Sequence, residues 1–465
     1  MTVNETKAAP PFGWRDKLGY LLGNVGNDFT FTFASIFLLV FYTKVLGIAS
    51  ELVGTMFLLA RFLDAFTDIT MGRIVDISRG GRKGKFRPWL LYMSGPVAIA
   101  SFLMYQSALA EAAMGVKILY MFVTYLVWGS VFYTAVNIPY GSMASVISGE
   151  ADDRAALSTF RSVGSVFANI AVGVIAPLLI YTSDAAGNQV VRGEMFPRVA
   201  AVFSLIAFVC YLLCYSLTVE RIKPEKHAAS GAEISIAETA KTLVTDRALI
   251  GIVIASVCVL AAQLLNQAIN QYLFIDYFRD KRGIMIMSVA AMIPGLALAP
   301  FAVPLSRRFG KKEIGVFGSF CGAVSCFLLF FLKTRSMWLY IIINVLGFLG
   351  FGIFNLIMWA FITDIIDDRQ VRTGKREDGT VYAVYSFARK VGQAIAGGLG
   401  GWALGWVGFD SGKQVQTEAV TRGIYNISTL FPAVLYLGVG LSLLLIYPLN
   451  KRRVESNIEK LKNER

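Results

Sequence analysis

The sequence predicts an all-α membrane protein of about twelve transmembrane helices in two six-helix halves, and three observations carry that expectation. Of 465 residues, 55% are hydrophobic and only 16% are charged, where a soluble globular chain carries about a quarter charged residues. Apolar runs of roughly 20 residues recur along the whole length, each long enough to cross the ~30 Å hydrocarbon core as a helix. Lys and Arg crowd a few connections: Arg79, Arg82, Lys83, Lys85 and Arg87; Arg307, Arg308, Lys311 and Lys312; Arg369, Arg372, Lys375 and Arg376; and the tail from Lys451. Short basic loops mark the cytoplasmic face. Both termini are therefore expected in the cytoplasm, in a multi-pass protein of the plasma (inner) membrane. The net charge of +13 is read as membrane orientation, with no nucleic-acid partner.

In chain order the spans are expected at roughly 17–45, 51–77, 88–108, 116–146, 157–182 and 196–218, then 248–277, 284–307, 313–333, 337–367, 379–409 and 424–448. The first starts after the polar stretch 1–16, which has no short apolar core and so no removable signal peptide. It carries Asn27 and Asp28, and the second carries Arg61, Asp64 and Asp68. The third follows the basic loop that ends at Arg87. The fourth holds Tyr133, Thr134 and Asn137 before Pro139, which frees a backbone carbonyl inside the membrane. The fifth contains Arg161, and the sixth Cys210 and Cys214.

The longest connection, roughly 219–247, has balanced charges and is broken by Pro224 and Ala229-Ser230-Gly231. It is read as a cytoplasmic linker between an N-terminal half, 1–218, and a C-terminal half, 248–465. Arg307 to Lys312 separate the eighth and ninth spans. The tenth carries Asn355 and Trp359, one turn apart, and the eleventh carries Tyr385, Ser386, Arg389 and Lys390. Gly397, Gly401 and Gly405 recur every four residues there, which permits close helix packing. The twelfth ends before the basic tail.

Composition removes several chemistries. The one histidine, His227, sits in the linker, so His-ligated metal sites and Ser/His/Asp triads are excluded. The five cysteines lie in apolar runs without a CxxC pair and read as small apolar filler. Neither an enzyme nor a bound cofactor is expected.

Ionisable side chains inside a span cost on the order of several kcal/mol, so each is a functional hypothesis. Asp64 and Asp68 are four residues apart and project from one helical face. Two carboxylates so placed need a cation, a shared proton or a nearby base. Arg61 could pair with Asp64, which leaves Asp68 unexplained, so a cation site is the reading adopted. Thr134 offers an oxygen of the kind a small cation takes. Asn137 offers a donor and an acceptor to a hydroxyl-rich ligand, or glue between helices. Arg389 and Lys390 are adjacent, hence about 100° apart, and cannot both face one cavity; Lys390 shares a face with Ser386 and Ala394. Trp359 offers a wall to a sugar ring or a packing surface. The acids Asp364 and Asp367, with Asp76 at the basic loop, are read as a gating set formed when one side of the protein shuts.

Between spans two and three, Gly72-x-x-x-Asp76 leads to Arg79-Gly80-Gly81-Arg82-Lys83. A degraded copy, Arg307-Arg308-Phe309-Gly310-Lys311-Lys312, stands at the matching place in the second half. This resembles the signature loop of the major facilitator superfamily. Four further marks narrow the likeness: Ala60 to Asp68 (ARFLDAFTD), Gly84-Lys85-Phe86-Arg87-Pro88, Asn137-Ile138-Pro139-Tyr140-Gly141-Ser142, and Glu377-Asp378-Gly379-Thr380 leading to Tyr385 through Gly392 (YSFARKVG). Together they resemble the glycoside–pentoside–hexuronide:cation symporters over nearly the whole chain, closer at span four to the glucuronide carriers than to the melibiose carrier.

The resemblance implies a major facilitator fold and secondary active symport of a glycoside, pentoside or hexuronide with Na+ or H+, the two ions remaining open. It implies a functional monomer whose partners are a small sugar, a monovalent cation and the lipid bilayer. It places the cation at Asp64, Asp68 and Thr134, with Thr67 where the melibiose carrier has asparagine. It places the sugar among Asp28, Asn27, Tyr133, Asn137, Arg161, Asn355, Tyr385, Ser386 and Lys390. A lysolipid carrier of the same superfamily is the alternative, disfavoured by the polar set Asn27, Asn137, Asn355 and Ser386.

Overall fold

The computed structural model describes residues 10–78, 80–81, 84–222, 246–374 and 378–463, and these are overwhelmingly helical. Fourteen helices make the passes: α1 Trp14–Val40, α2 Ser50–Ile77, α3 Arg87–Leu103, α4 Met114–Leu126, α5 Thr134–Ile147, α6 Ala151–Ile180 and α7 Met195–Leu217, then α8 Arg247–Tyr272, α9 Arg282–Ala290, α10 Ile293–Phe309, α11 Lys311–Leu332, α12 Met337–Thr373, α13 Asp378–Trp406 and α14 Glu418–Leu441. α4 and α5 are one pass joined by a π-helical segment, Val127–Tyr133, and α9 and α10 are one broken pass. Fourteen helices less two joins give the twelve spans expected. Eight passes are long and apolar enough to cross a membrane by composition alone. The other four, α2, α9–α10, α12 and α13, are broken or carry charged residues. A last helix, α15 Lys451–Asn463, is polar and lies against α12. Most of the expected linker, 223–245, lies outside the described residues.

Local chemistry sets several boundaries. Pro88 stands in the first turn of α3, where its missing N–H costs nothing. Asp246 caps α8, its carboxylate accepting from the N–H groups of Ala248 and Leu249 at 3.0 and 3.3 Å. Ser336 and Thr417 cap α12 and α14 in the same way.

The chain forms two compact units. The first comprises Met1–Gly47, Leu63–Ile180 and Arg192–Ser230. There α1 packs on α6 and α7, and α3 on α7 and α5. The second comprises Ile48–Phe62, Tyr181–Val191 and Gly231–Arg465. There α8 packs on α13 and α14, and α11 on α14 and α12. Numbered by span, one with five and six, three with six and four, becomes seven with eleven and twelve, nine with twelve and ten. The packing pattern is repeated although the sequences echo each other weakly. Spans one and seven share a further feature, since each finishes in a π-helical turn, Phe41–Val45 and Leu273–Tyr277.

Two glycine approaches show how closely the passes pack. In the second unit Gly401 of α13 lies against Ser50 O and Gly54 at the start of α2, so that a Cβ would overlap both, while Gly397 faces Phe57. The four-residue glycine spacing is thus a docking face for the first half of α2. In the first unit the loop before α3 wraps around Glu220. That carboxylate accepts from the backbone N–H groups of Lys85, Phe86 and Arg87 at 2.7, 2.8 and 2.7 Å. Gly84 makes the turn with φ +102°, and a Cβ there would meet the Glu220 carboxyl at 2.6 Å. A helix start with free N–H groups is an anion site, and here the anion is the chain's own.

Candidate functional site

The first unit assembles a cation-type constellation and a sugar-type constellation. In the former, Asp64 and Asp68 of α2 face the π-helical stretch of span four. Ser130 donates from its hydroxyl to Asp64 Oδ1 at 2.5 Å, and Thr134 donates to Asp68 Oδ1 at 3.0 Å. Thr134 also reaches Gly129 O at 3.1 Å. Two carboxylates four residues apart are therefore matched rung for rung by two hydroxyls four residues apart. The widened π turn buries Trp128, Gly129 and Ser130, and such bulges recur at functional sites. Gly129 keeps the space beside Asp64 open: a Cβ there would meet nothing nearer than Asp64 Oδ1 at 3.8 Å. Thr67 turns back to donate to Asp64 O at 3.2 Å.

The sugar-type constellation lies on α1, α5 and α6. Asp28 Oδ2 accepts from Asn24 Nδ2 at 2.9 Å and from the Ser165 hydroxyl. The same Asn24 amide donates to Ser165 Oγ at 3.0 Å, and its carbonyl accepts from Arg161 Nε at 3.2 Å. The Arg161 guanidinium lies 5.5 Å from the Tyr140 ring centroid, a cation–π distance. Tyr140 in turn stacks on Tyr20 at 4.6 Å and donates to Tyr20 O at 2.7 Å. Arg161 is exposed and Asp28 half-buried, whereas Asn24 is 3% exposed. Asn27 is fully buried and accepts from Tyr211 OH at 2.9 Å. Tyr133 stacks on Phe31 at 5.7 Å and lies tilted against Trp128 at 5.3 Å. Asn137 is half-buried on the same pass.

In the second unit Tyr385 is buried under the Arg389 guanidinium, 6.0 Å from its ring centroid. Ser386 is exposed and Lys390 half-buried on α13. The side chains of Asn355, Trp359 and Asp76 lie outside the described residues. Of the acids read as gating, Asp364 has a described partner within the second unit. Lys311 Nζ lies 2.6 Å from Asp364 Oδ1. Asp368 collects Arg372, Arg453 and Asn457 at 2.7, 2.9 and 2.9 Å, and Asp246 pairs with Arg372 at 2.7 Å. Lys311 belongs to the degraded loop copy, so this partner of Asp364 comes from the repeat that the sequence displayed. Cys210 and Cys214 are free and buried.

Three polar residues escaped the sequence reading: Ser130, Asn24 and Ser165. Each stands four residues from one that was singled out: Thr134, Asp28 and Arg161. Helical spacing from a charged or hydroxyl residue already chosen was the signal that would have found them.

Comparison with known proteins identifies the family. The "MFS/sugar transport protein" family model matches residues 19–451. The chain is 30% identical over 455 residues to the "Glucuronide carrier protein homolog" of Escherichia coli K12, covering 97% of this chain and 96% of that one. It is 30% identical over 451 residues to the "Putative glycoside/cation symporter YagG" of the same organism, with 95% and 93% covered. The crystal structure of the nucleoside transporter NupG superposes with a TM-score of 0.66 at 12% identity, over 92% of this chain and 99% of that one, which is a likeness of fold. The chain belongs to the MFS/sugar transport protein family of the major facilitator superfamily, a family of secondary transporters and not of enzymes.

Proposed function

We propose that the chain imports an acidic glycoside of the hexuronide type, coupled to a monovalent cation, by alternating access. The observation that carries the acidic reading is the placement of Arg161. Its Nε is spent on the neutral Asn24 carbonyl, it makes no hydrogen bond to Asp28, and its charge lies exposed over an aromatic face. A guanidinium in that state offers a carboxylate a charge-assisted and planar partner. Asp28 beside it supplies a charged acceptor for sugar hydroxyls. Kinship with a protein named as a glucuronide carrier homolog supports the same choice. Asp64, Asp68, Ser130 and Thr134 serve the cation, and Lys390, Tyr385, Ser386 and Asn355 of the second half are assigned to the substrate. Both termini are placed in the cytoplasm and the working unit is a monomer. A lysolipid cargo is disfavoured, because a lipid tail gains nothing from buried hydrogen-bonding groups such as Asn24 and Asn27.

The test is competition of uptake in vesicles between phenyl glucuronide and phenyl glucoside, which differ only in the carboxylate. The glucuronide should win, and Arg161→Ala should remove most of its advantage. A preference for the glucoside would refute the acidic substrate and leave the family membership intact.

A further inference from the structure

We infer that Asn24 is a specificity-determining residue: its amide is a wedge that keeps Arg161 and Asp28 from collapsing into an ion pair. This rests on the reading of Arg161 as the substrate's anion partner and names the residue that makes that role available. The two charged side chains approach the same small group from opposite sides. Arg161 Nε meets Asn24 Oδ1 at 3.2 Å, and Asn24 Nδ2 meets Asp28 Oδ2 at 2.9 Å. The orientation of the amide is dictated by its neighbours. Turned over, it would set its carbonyl against a carboxylate and its NH2 against a guanidinium, and both contacts would become repulsive.

A primary amide is suited to this place because it alone among the small polar side chains is acceptor and double donor at once. One N–H holds Asp28, the other holds Ser165 at 3.0 Å, and Ser165 donates back to the same Asp28 oxygen. All of these bonds fall on Oδ2, which leaves Oδ1 of a half-buried carboxylate for a ligand hydroxyl. The exposed Arg161 guanidinium, which also lies beside the Tyr20 hydroxyl, meets no carboxylate in a hydrogen bond among the described residues and can turn to a ligand anion. Directly paired, the two side chains would satisfy each other and offer a substrate little. Held apart by a neutral dipole, they form a cradle with a cationic and an anionic side, matched to a molecule that carries one carboxylate and several hydroxyls. Asn24 is 3% exposed, so its action is on the two charged groups and not on bulk solvent.

The experiment compares wild type with Asn24→Asp and Asn24→Leu in the full-length carrier, reading KM for phenyl glucuronide and for phenyl glucoside under one imposed cation gradient. Asn24→Asp is nearly isosteric and neutralises Arg161 from within. The glucuronide-to-glucoside preference should fall about tenfold, the scale of one charge-assisted contact. Asn24→Leu keeps the bulk but removes the amide bonds that hold Arg161 and Asp28 in place, so KM should rise for both sugars. A purely structural Asn24 would change amount or overall rate and leave the ratio between the sugars where it was. A wild-type glucuronide preference that survives Asn24→Asp overturns this inference alone. A wild type that prefers the glucoside overturns the acidic reading and the inference with it.

Discussion

At the scale of single residues, the decisive feature is that polar groups come in pairs spaced by one helical turn. Asp64 and Asp68 meet Ser130 and Thr134, and Asn24 and Asp28 meet Arg161 and Ser165. The charged members were legible in the sequence, because a charge within an apolar run costs enough to need a reason, and Thr134 was legible beside them as an oxygen donor. Ser130, Asn24 and Ser165 were not, since a lone Ser or Asn in a membrane helix is more often glue between helices. Asp68→Asn follows from the pairing. The amide keeps the size and the bond from Thr134 but removes one negative charge from the site proposed for the cation. Cation-driven accumulation of sugar should drop by at least about tenfold, the loss of one charged contact. Uptake measured with an imposed Na+ gradient and, separately, a pH gradient checks it. Accumulation at the wild-type level under either gradient would remove Asp68 from the coupling site.

At the scale of elements, the spans were legible because length and hydropathy alone define them, whereas their irregularities were not. The π-helical stretch Val127–Tyr133 lies in a run that reads as ordinary helix, with Pro139 as its only visible break. Hydrogen-bond register within a helix leaves no mark on apolar periodicity, so the bulge that presents Ser130 to Asp64 could not be foreseen. Nor could Glu220 be told apart from the balanced charges around it, since its importance comes from three backbone N–H groups more than 130 positions earlier in the chain. The glycine stripe of α13 was read as a packing surface, and its partner proved to be the start of α2. Gly401→Leu is therefore expected to cost roughly 1–3 kcal/mol or more by overpacking, because the added side chain would overlap backbone, which cannot swing aside. Thermal unfolding of the detergent-solubilised carrier should show a lowered transition. Gly95→Leu, where no atom stands within 4 Å of a built Cβ, is the matched control, and equal transitions for the two would mean that α13 and α2 do not depend on that contact.

At the scale of the whole molecule, the repeated packing pattern and the placement of charge together determine how the chain should sit in a membrane. Twelve passes return the chain to the side from which it began. The connections on that side carry the basic clusters around Lys85 and Arg87, around Arg307 to Lys312, and along α15, while the β-hairpin of Tyr181–Ser183 and Gln189–Val191 between α6 and α7 belongs to the other side. Transfer of short loops across a bilayer is opposed by Lys and Arg far more than it is helped by acids. The basic connections should then stay in the cytoplasm, and the hairpin, with Asp184 at its turn, should face outward. Single cysteines placed in a cysteine-free background report this directly. Ala186→Cys, exposed at the hairpin turn, should react with a membrane-impermeant maleimide in intact cells. Ser456→Cys, exposed on α15, should react only once the membrane is opened. The reverse pattern would invert the carrier, and labelling of both sites in intact cells would leave the termini on opposite sides and the count of passes odd. Uptake retained in both variants ties the labelled population to the folded protein, so that the pattern reports the working orientation and not misinserted chain.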